Sequence, residues 1–372
     1  MGAELSPTRR LQHWSRASEL FETVAQVARN TAEVLTAEEL RSLFERESAP
    51  RAYIGFEPSG LLHVGHLITA RKIRDLTDAG CRVTVFLADW HAWINDKLGG
   101  SLEKIRECGQ YMQSGFLALG VDPDRTEFRW AKDLQAQKGY WDRVVWVAKA
   151  TSLARSRRAL PIMGRAEDDA NLDTAKLFYP SMQAADIFEL PVEIAYAGID
   201  QRRAHVLARE VAHHYHWPVP VAVHTPLISS LKGGGRMDPE AQTVERKMSK
   251  SDPTAGIPVP SDPEVITSRI EAAYCPAKEV DGNPVVELVR FVIFPWEDKL
   301  LVERAAKHGG PLVLATEEEF LSTWKAGSLH PQDLKAAVTA ALTRITEPAT
   351  RFFQSHPEAV PPFLQPAGTG ST

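Results

Sequence analysis

Two short stretches of this chain carry side chains suited to a polyphosphate. The first is His63-Val64-Gly65-His66, which follows the turn Glu57-Pro58-Ser59-Gly60 and opens an apolar-periodic stretch predicting a helix from Gly65 to Ala79. A helix N-terminus offers free N–H groups and the positive end of the helix dipole, which suits a triphosphate. Gly65 lets a nucleotide approach the backbone closely. The two imidazoles, three residues apart, share a face and can donate to phosphate oxygens. Two surface histidines at a helix start would give the same four letters, so the placement after a strand and a Pro-Gly turn is what gives the motif weight. The second stretch is Lys247-Met248-Ser249-Lys250-Ser251. Its two ammonium groups and two hydroxyls can close over a pyrophosphate leaving group and stabilise charge that develops only in the transition state. A lysine-rich solvent loop is the plain alternative.

The elements that must position these groups alternate. Ala52 to Phe56 and Arg82 to Ala88 read as buried strands, Leu102 to Leu119 as a helix and Glu127 to Ala131 as a strand. Asp142 to Arg157 reads as a helix, Pro191 to Ala197 as a strand and Asp200 to His213 as a helix. Such alternation predicts a parallel α/β sheet wound by crossovers. Residues 1–50 read as helical, with a capping box at Thr36 and Glu39. Ser229 to Ile257 contains Gly233-Gly234-Gly235, several charges and few apolar residues, and reads as a long loop ending in the second motif. Those glycines neither follow a strand nor open a helix, so they are no dinucleotide fingerprint. After Ser261 the pattern is almost wholly helical, over 262–275, 283–294, 316–325 and 330–354.

Composition bounds the answer. A chain of 372 residues suggests two domains. Hydrophobic residues at 44% and charged residues at 24% are ordinary for a soluble globular protein. The apolar runs are too short to span a bilayer, and the N-terminus has no secretory pattern. Cys81, Cys108 and Cys275 are odd in number and widely spaced, which argues against a disulfide framework or a zinc site and fits a reducing cytosol. His213, His214 and His216, with no carboxylate nearby, read as structural rather than metal-binding. The net charge of −5 speaks against a nucleic-acid partner. Its distribution qualifies that, since Val144 to Arg165 has no acidic residue but holds Lys149, Arg155, Arg157, Arg158 and Arg165. Such a stretch can track a phosphate backbone or be a solvated helix face.

The two motifs together resemble the HIGH and KMSKS signatures of class I aminoacyl-tRNA synthetases, with Val64 where Ile is usual. The strings Tyr53 to Gly60, Leu87 to His91, Tyr179 to Gln183 with Asp186, Gly198 to Arg202 and Leu329 to Lys335 resemble the archaeal and eukaryotic tyrosyl-tRNA synthetases, over about residues 30–355. The resemblance implies a Rossmann-like parallel-sheet catalytic domain over 31–260, after a helical extension at 1–30. The catalytic domain would carry an insertion and dimer region near 130–185 and the KMSKS loop at 229–257. An α-helical anticodon-binding domain would follow at 261–360, then a disordered tail at 361–372. The implied activity is ATP-dependent formation of tyrosyl-adenylate and its transfer to tRNA(Tyr), with ATP and Mg²⁺, in a cytoplasmic homodimer.

The resemblance also assigns residues. His63, His66, Lys247 and Lys250 would be catalytic. Gly55, Gly65, Met248, Ser249 and Ser251 would contact ATP, and Asp200 would lie near the adenylate. Tyr53 and Asp186 would read the phenol oxygen, Tyr179, Gln183 and Gln201 the α-ammonium group, and Gln135 would line the same pocket. Asp333 would contact the first anticodon base and Arg158 the acceptor stem. Phe86, Trp90 and Trp93 are bulkier than in some relatives, a departure that bears on pocket shape. Two other readings stand beside this one: a paralogue activating tyrosine or a near analogue without tRNA, and a non-catalytic RNA-binding relative. The helical domain with Asp333 argues against the first, and the intact motifs argue against the second.

Overall fold

The computed structural model describes residues 7–165, 172–233 and 256–365; the Lys247–Ser251 motif lies outside them. In chain order the first part holds α1 (Pro7–Ala28), β1 (Glu33–Leu35), α2 (Ala37–Arg46), β2 (Arg51–Phe56) and β3 (Leu62–His63). Next come α3 (Gly65–Asp78), β4 (Arg82–Leu87), α4 (Asp89–Ile94), α5 (Leu102–Ala118) and β5 (Thr126–Trp130). Helices α6 (Ala131–Gln135), α7 (Tyr140–Lys149), α8 (Leu153–Ala159) and α9 (Thr174–Glu189) follow, then β6 (Ile194–Gly198), α10 (Arg202–Tyr215), β7 (Val221–Thr225) and β8 (Pro258–Val259).

Six strands form the main sheet in the order β1-β7-β6-β2-β4-β5, parallel except for β1. Both faces are covered, which is why Ala52, Tyr53 and Ile54 are buried in succession along β2 instead of alternating. From β2 the chain winds outward through β4 to β5, then returns to β6 on the other side of β2. That reversal is a topological switch point, and the crevice beyond the carboxyl ends of β2 and β6 is where such sheets bind ligands.

One apolar cluster covers the face carrying α3 and α5, with Leu67, Ile73, Met112 and Phe116. It continues without a break into the C-terminal helices through Leu334, Val338 and Phe353, so the helical part shares its core with the sheet. A second cluster, with Phe86, Tyr140, Met182 and Leu207, covers the other face beneath α7, α9 and α10.

The sequence reading needs correction in places. Residues 1–50 are not all helical: β1 intervenes, antiparallel to β7, and at three residues it is too short to show an alternating pattern. Thr36 and Glu39 do form the reciprocal capping box that opens α2. The helix expected over 142–157 breaks, because the Ser152 side chain caps a new helix, α8. The C-terminal part contains a hairpin, Leu300–Val302 with Leu312–Leu314, as well as helices at Pro263–Ala272, Glu317–Ala326 and Pro331–Ser355. Of the tail expected over 361–372, Pro362–Leu364 form a 3-10 turn with Phe363 and Leu364 partly buried against the core; residues 366–372 lie outside the described range.

Candidate active site

A cavity of about 810 Å³ opens at the switch point. Its walls come from the carboxyl ends of β2, β4, β6 and β7, the start of α3 and the inner face of α9.

At one end are His63, Gly65 and His66. The rings of the two histidines touch, with centroids 4.2 Å apart. The His63 backbone N–H donates to His66 Nδ1 at 3.1 Å, and the Gly65 N–H donates to His63 Nδ1 at 3.1 Å. Each ring is therefore oriented by the motif's own backbone. Val64 at the N-cap of α3 makes no side-chain bond, and the helix start lines the cavity with Gly65 and His66, which puts the positive end of the helix dipole there. Opposite β3 runs β8, pairing Leu62 with Val259 and His63 with Pro258. Buried Tyr111 on α5 joins the two segments: its hydroxyl accepts from the Leu62 N–H at 3.2 Å and donates to the Val259 carbonyl.

The other end is built from β2 and α9. Tyr53 and Asp186 are both buried and both line the cavity. Burial, then the Asp186 carboxylate, push the Tyr53 phenol well above its ordinary range, so it stays a neutral hydrogen-bonding group. Tyr179 is raised in the same way, by burial and then by Glu57, to whose Oε1 its hydroxyl donates at 2.8 Å. Gln183 donates to Gln201 at 3.1 Å, and Gln201 donates to the Ile162 carbonyl at 3.0 Å. Gln183 Oε1 is buried without a hydrogen-bond partner, an acceptor available to an ammonium donor. With Glu57 and Asp200 also on the wall, this region suits a cation.

The cavity thus brings together Tyr53, Gly55, His63, Gly65, His66, Tyr179, Gln183, Asp186, Asp200 and Gln201 of the residues expected from sequence. Gln135 is a correction: it does not line the cavity but sits behind it, buried beside Tyr140. Of the bulky trio, Phe86 lines the wall, whereas Trp90 and Trp93 pack edge-to-face on each other away from it. Arg158 is exposed on α8, and Asp333 sits in the first turn of Pro331–Ser355; neither lines the cavity. Lys247, Met248, Ser249, Lys250 and Ser251 fall outside the described residues. Residue-by-residue reading missed Glu57, held by Tyr179, Asn95 and Lys97, and it missed His91 and Tyr140, which flank Asp186. Only Glu57 and His91 had any signal, since they fall inside the strings that carried the resemblance.

A family model described as tRNA synthetases class I (W and Y) matches residues 45–347. This chain belongs to the class I tRNA synthetases of that tryptophan and tyrosine family. A tyrosine--tRNA ligase of Sulfurisphaera tokodaii is 44% identical over 91% of this chain and 94% of its own length. One from Aeropyrum pernix is 45% identical over 87% and 90% respectively. Among solved structures, tyrosyl-tRNA synthetase from Pyrococcus horikoshii, complexed with L-tyrosine, superposes with a TM-score of 0.85 at 42% identity, covering 91% of this chain and 98% of that one. The family fold, a Rossmann-like α/β sheet followed by helices, is the fold described above.

Proposed function

We propose that this chain is a tyrosine--tRNA ligase, which adenylates L-tyrosine with ATP and transfers the tyrosyl group to the 3′ end of tRNA(Tyr). The observation that carries the reading is one cavity with the start of α3 and two oriented histidines at one end, and buried Tyr53 and Asp186 at the other. In the first step the tyrosine carboxylate attacks the α-phosphate in line, and pyrophosphate leaves. No covalent enzyme intermediate is needed, so the protein contributes positioning and charge stabilisation. His63 and His66 donate to phosphate oxygens, with Lys247 and Lys250 assigned to the leaving pyrophosphate by their motif. Gln183 and Gln201, with Tyr179, hold the α-ammonium group. Asp186 and Tyr53 satisfy the phenol, and phenylalanine would leave both unpaired. Mg²⁺ bound with ATP would supply neutralisation of phosphate charge, held mostly by phosphate and water oxygens, beside His63 and His66 at the phosphate end. In the second step a terminal adenosine hydroxyl of tRNA attacks the adenylate.

tRNA engagement is assigned to Arg158 and its exposed neighbour Arg157 on α8, and to Asp333 in the helical part. The reading includes a homodimer, which is supported by the apolar face of α7 to α9, where Trp141, Val145, Trp146, Leu153 and Phe178 are all exposed. A cytoplasmic setting goes with this reading; among the described residues no helix is long and apolar enough to cross a membrane.

The test is tyrosine-dependent ATP–pyrophosphate exchange, run beside phenylalanine and tryptophan with Asp186→Ala as control. Exchange with tyrosine alone, abolished in the variant, is the expected result. Exchange with tryptophan instead would overturn the substrate, and no exchange from folded protein would overturn the activity.

A further inference from the structure

Asp186 does not stand alone. Its Oδ1 accepts from the Tyr140 hydroxyl at 2.9 Å, a contact from α7 to α9 across the second apolar cluster. Its Oδ2 lies 3.2 Å from Nε2 of His91 on α4. His91 is 1% exposed, lines the cavity, and neither of its ring nitrogens has a well-aligned hydrogen-bond partner. Its ring is fixed by edge-to-face packing on Tyr179, with centroids 4.9 Å apart at 88°, and on Phe86 at 6.4 Å. Tyr140 is buried and absent from the cavity wall. It opens α7 directly after Gly139, whose φ of +98° a side-chain-bearing residue adopts only under strain. Burial, then the Asp186 carboxylate, push the Tyr140 phenol far above its ordinary range, so it remains a donor.

A carboxylate has two oxygens and can rotate about its last bond. Tyr140, bonded from the side away from the cavity, takes one oxygen and fixes the plane. The other oxygen is left beside His91, on the cavity side. Both ring nitrogens of His91 are buried beside that oxygen with incomplete hydrogen bonding, and because His91 lines the cavity an occupant there can supply the partner.

We infer that Tyr140 and His91 determine the discrimination between tyrosine and phenylalanine: Tyr140 as a positioning residue that aims Asp186, His91 as a further group reading the phenolic oxygen. This rests on the proposed tyrosine activation but goes beyond it, because it assigns specificity to a residue outside the pocket. A substrate hydroxyl donating to Asp186 Oδ2 would still carry a lone pair to accept from His91 Nε2–H. Phenylalanine would restore neither bond, leaving the carboxylate and the imidazole both incomplete.

The test is pyrophosphate exchange by the full chain with tyrosine and with phenylalanine, for Tyr140→Phe, His91→Leu and His91→Gln. For Tyr140→Phe we expect KM for tyrosine to rise about tenfold or more, the size of a lost hydrogen bond to a charged group, with kcat nearly unchanged and kcat/KM for phenylalanine unmoved. His91→Leu should behave likewise, and His91→Gln, which keeps a donor, should recover part of the loss. Equal losses for both substrates would mean a purely structural role and would overturn the inference, as would unchanged discrimination. If Tyr140→Phe does not fold, the two His91 variants decide the question for the pocket. Wild-type protein inactive with tyrosine would instead sink the activity reading itself, an outcome separate from all of these.

Discussion

Val64, inside the first motif, donates its backbone N–H to the carbonyl of Ile257 at 2.9 Å. Nearly two hundred positions of sequence separate two residues that share a hydrogen bond. The strand pair β3–β8 begins at that bond, so the segment after the Lys247–Ser251 motif is fastened to the histidines of the first. Tyr111 adds a side-chain link between the same two segments.

Tyr111→Phe keeps the ring and removes that link. The Leu62 N–H and the Val259 carbonyl would each be left buried without the hydroxyl, at a cost of about 1–3 kcal/mol. Urea unfolding should show this loss, and pyrophosphate exchange should show a lower kcat with KM for tyrosine little changed. Unaltered stability would mean that water or a backbone shift replaces the hydroxyl.

Gly65→Ala tests the orientation of His63. A Cβ there would stand 2.8 Å from His63 Cε1 and 2.9 Å from Nδ1, so the ring must move. A misplacement of about 1 Å in an oriented site can cost about a hundredfold in rate. We expect the loss in kcat for exchange, with tyrosine binding by fluorescence titration retained; full activity would show that the ring's placement is unimportant.

Trp296→Phe tests the seam between the helical part and α3. The Trp296 indole N–H donates to the Leu67 carbonyl at 3.1 Å, one residue after His66, and the Arg74 guanidinium lies 5.2 Å from the ring centroid. Phenylalanine keeps an aromatic ring but removes the donor and the volume of the five-membered ring. Stability should fall by about 1 kcal/mol, read by urea denaturation. A variant as stable as the parent would show that the indole's bond and packing contribute nothing net.

Acid sensitivity should come from a buried histidine pair. His205 Nδ1 lies 3.0 Å from His224 Nε2, and His224 Nδ1 lies 3.1 Å from Glu33 Oε2. Burial, then His224, lower His205 to about 3, and burial also lowers His224. An unfolded histidine titrates near 6.5. As pH falls from about 6.5 toward 3, the unfolded chain takes up a proton that native His205 refuses, so stability declines across that window, by up to about 1.4 kcal/mol per pH unit for each such proton. Urea unfolding at pH 7, 6 and 5 should show the slope, and His205→Gln should flatten it. Parallel slopes for parent and variant would refute this origin.

The alternation of strands and helices was legible because it rests on local periodicity, and the first motif was legible because it sits at a strand–turn–helix junction. β1 was not, since three residues carry no period and its place is set by pairing with β7. The hairpin at Leu300–Val302 and Leu312–Leu314 was hidden for the same reason. Within the site, Tyr53, Tyr179, Gln183, Asp186 and Gln201 were found through strings that resemble a family, and they meet around one cavity. Tyr140 could not be found that way. Its contact with Asp186 spans 46 positions and two helices, and nothing in the letters around it distinguishes a core tyrosine from one that holds a carboxylate. Gln135 was placed in the pocket by the resemblance, whereas here it is buried beside Tyr140 and off the cavity wall.

The pairing of His63 with Pro258 has a consequence for how the chain can change over time. Connecting two fixed ends costs entropy that grows only with the logarithm of the connection, about 0.6 kcal/mol per doubling. The register of His63 is set by its neighbour across the bridge, not by the length of chain between Gly233 and Gly256. Insertions and deletions ahead of Lys247 leave both anchor points in place, so the chain there can lengthen or shorten in descendants while the geometry of the histidines is inherited unchanged.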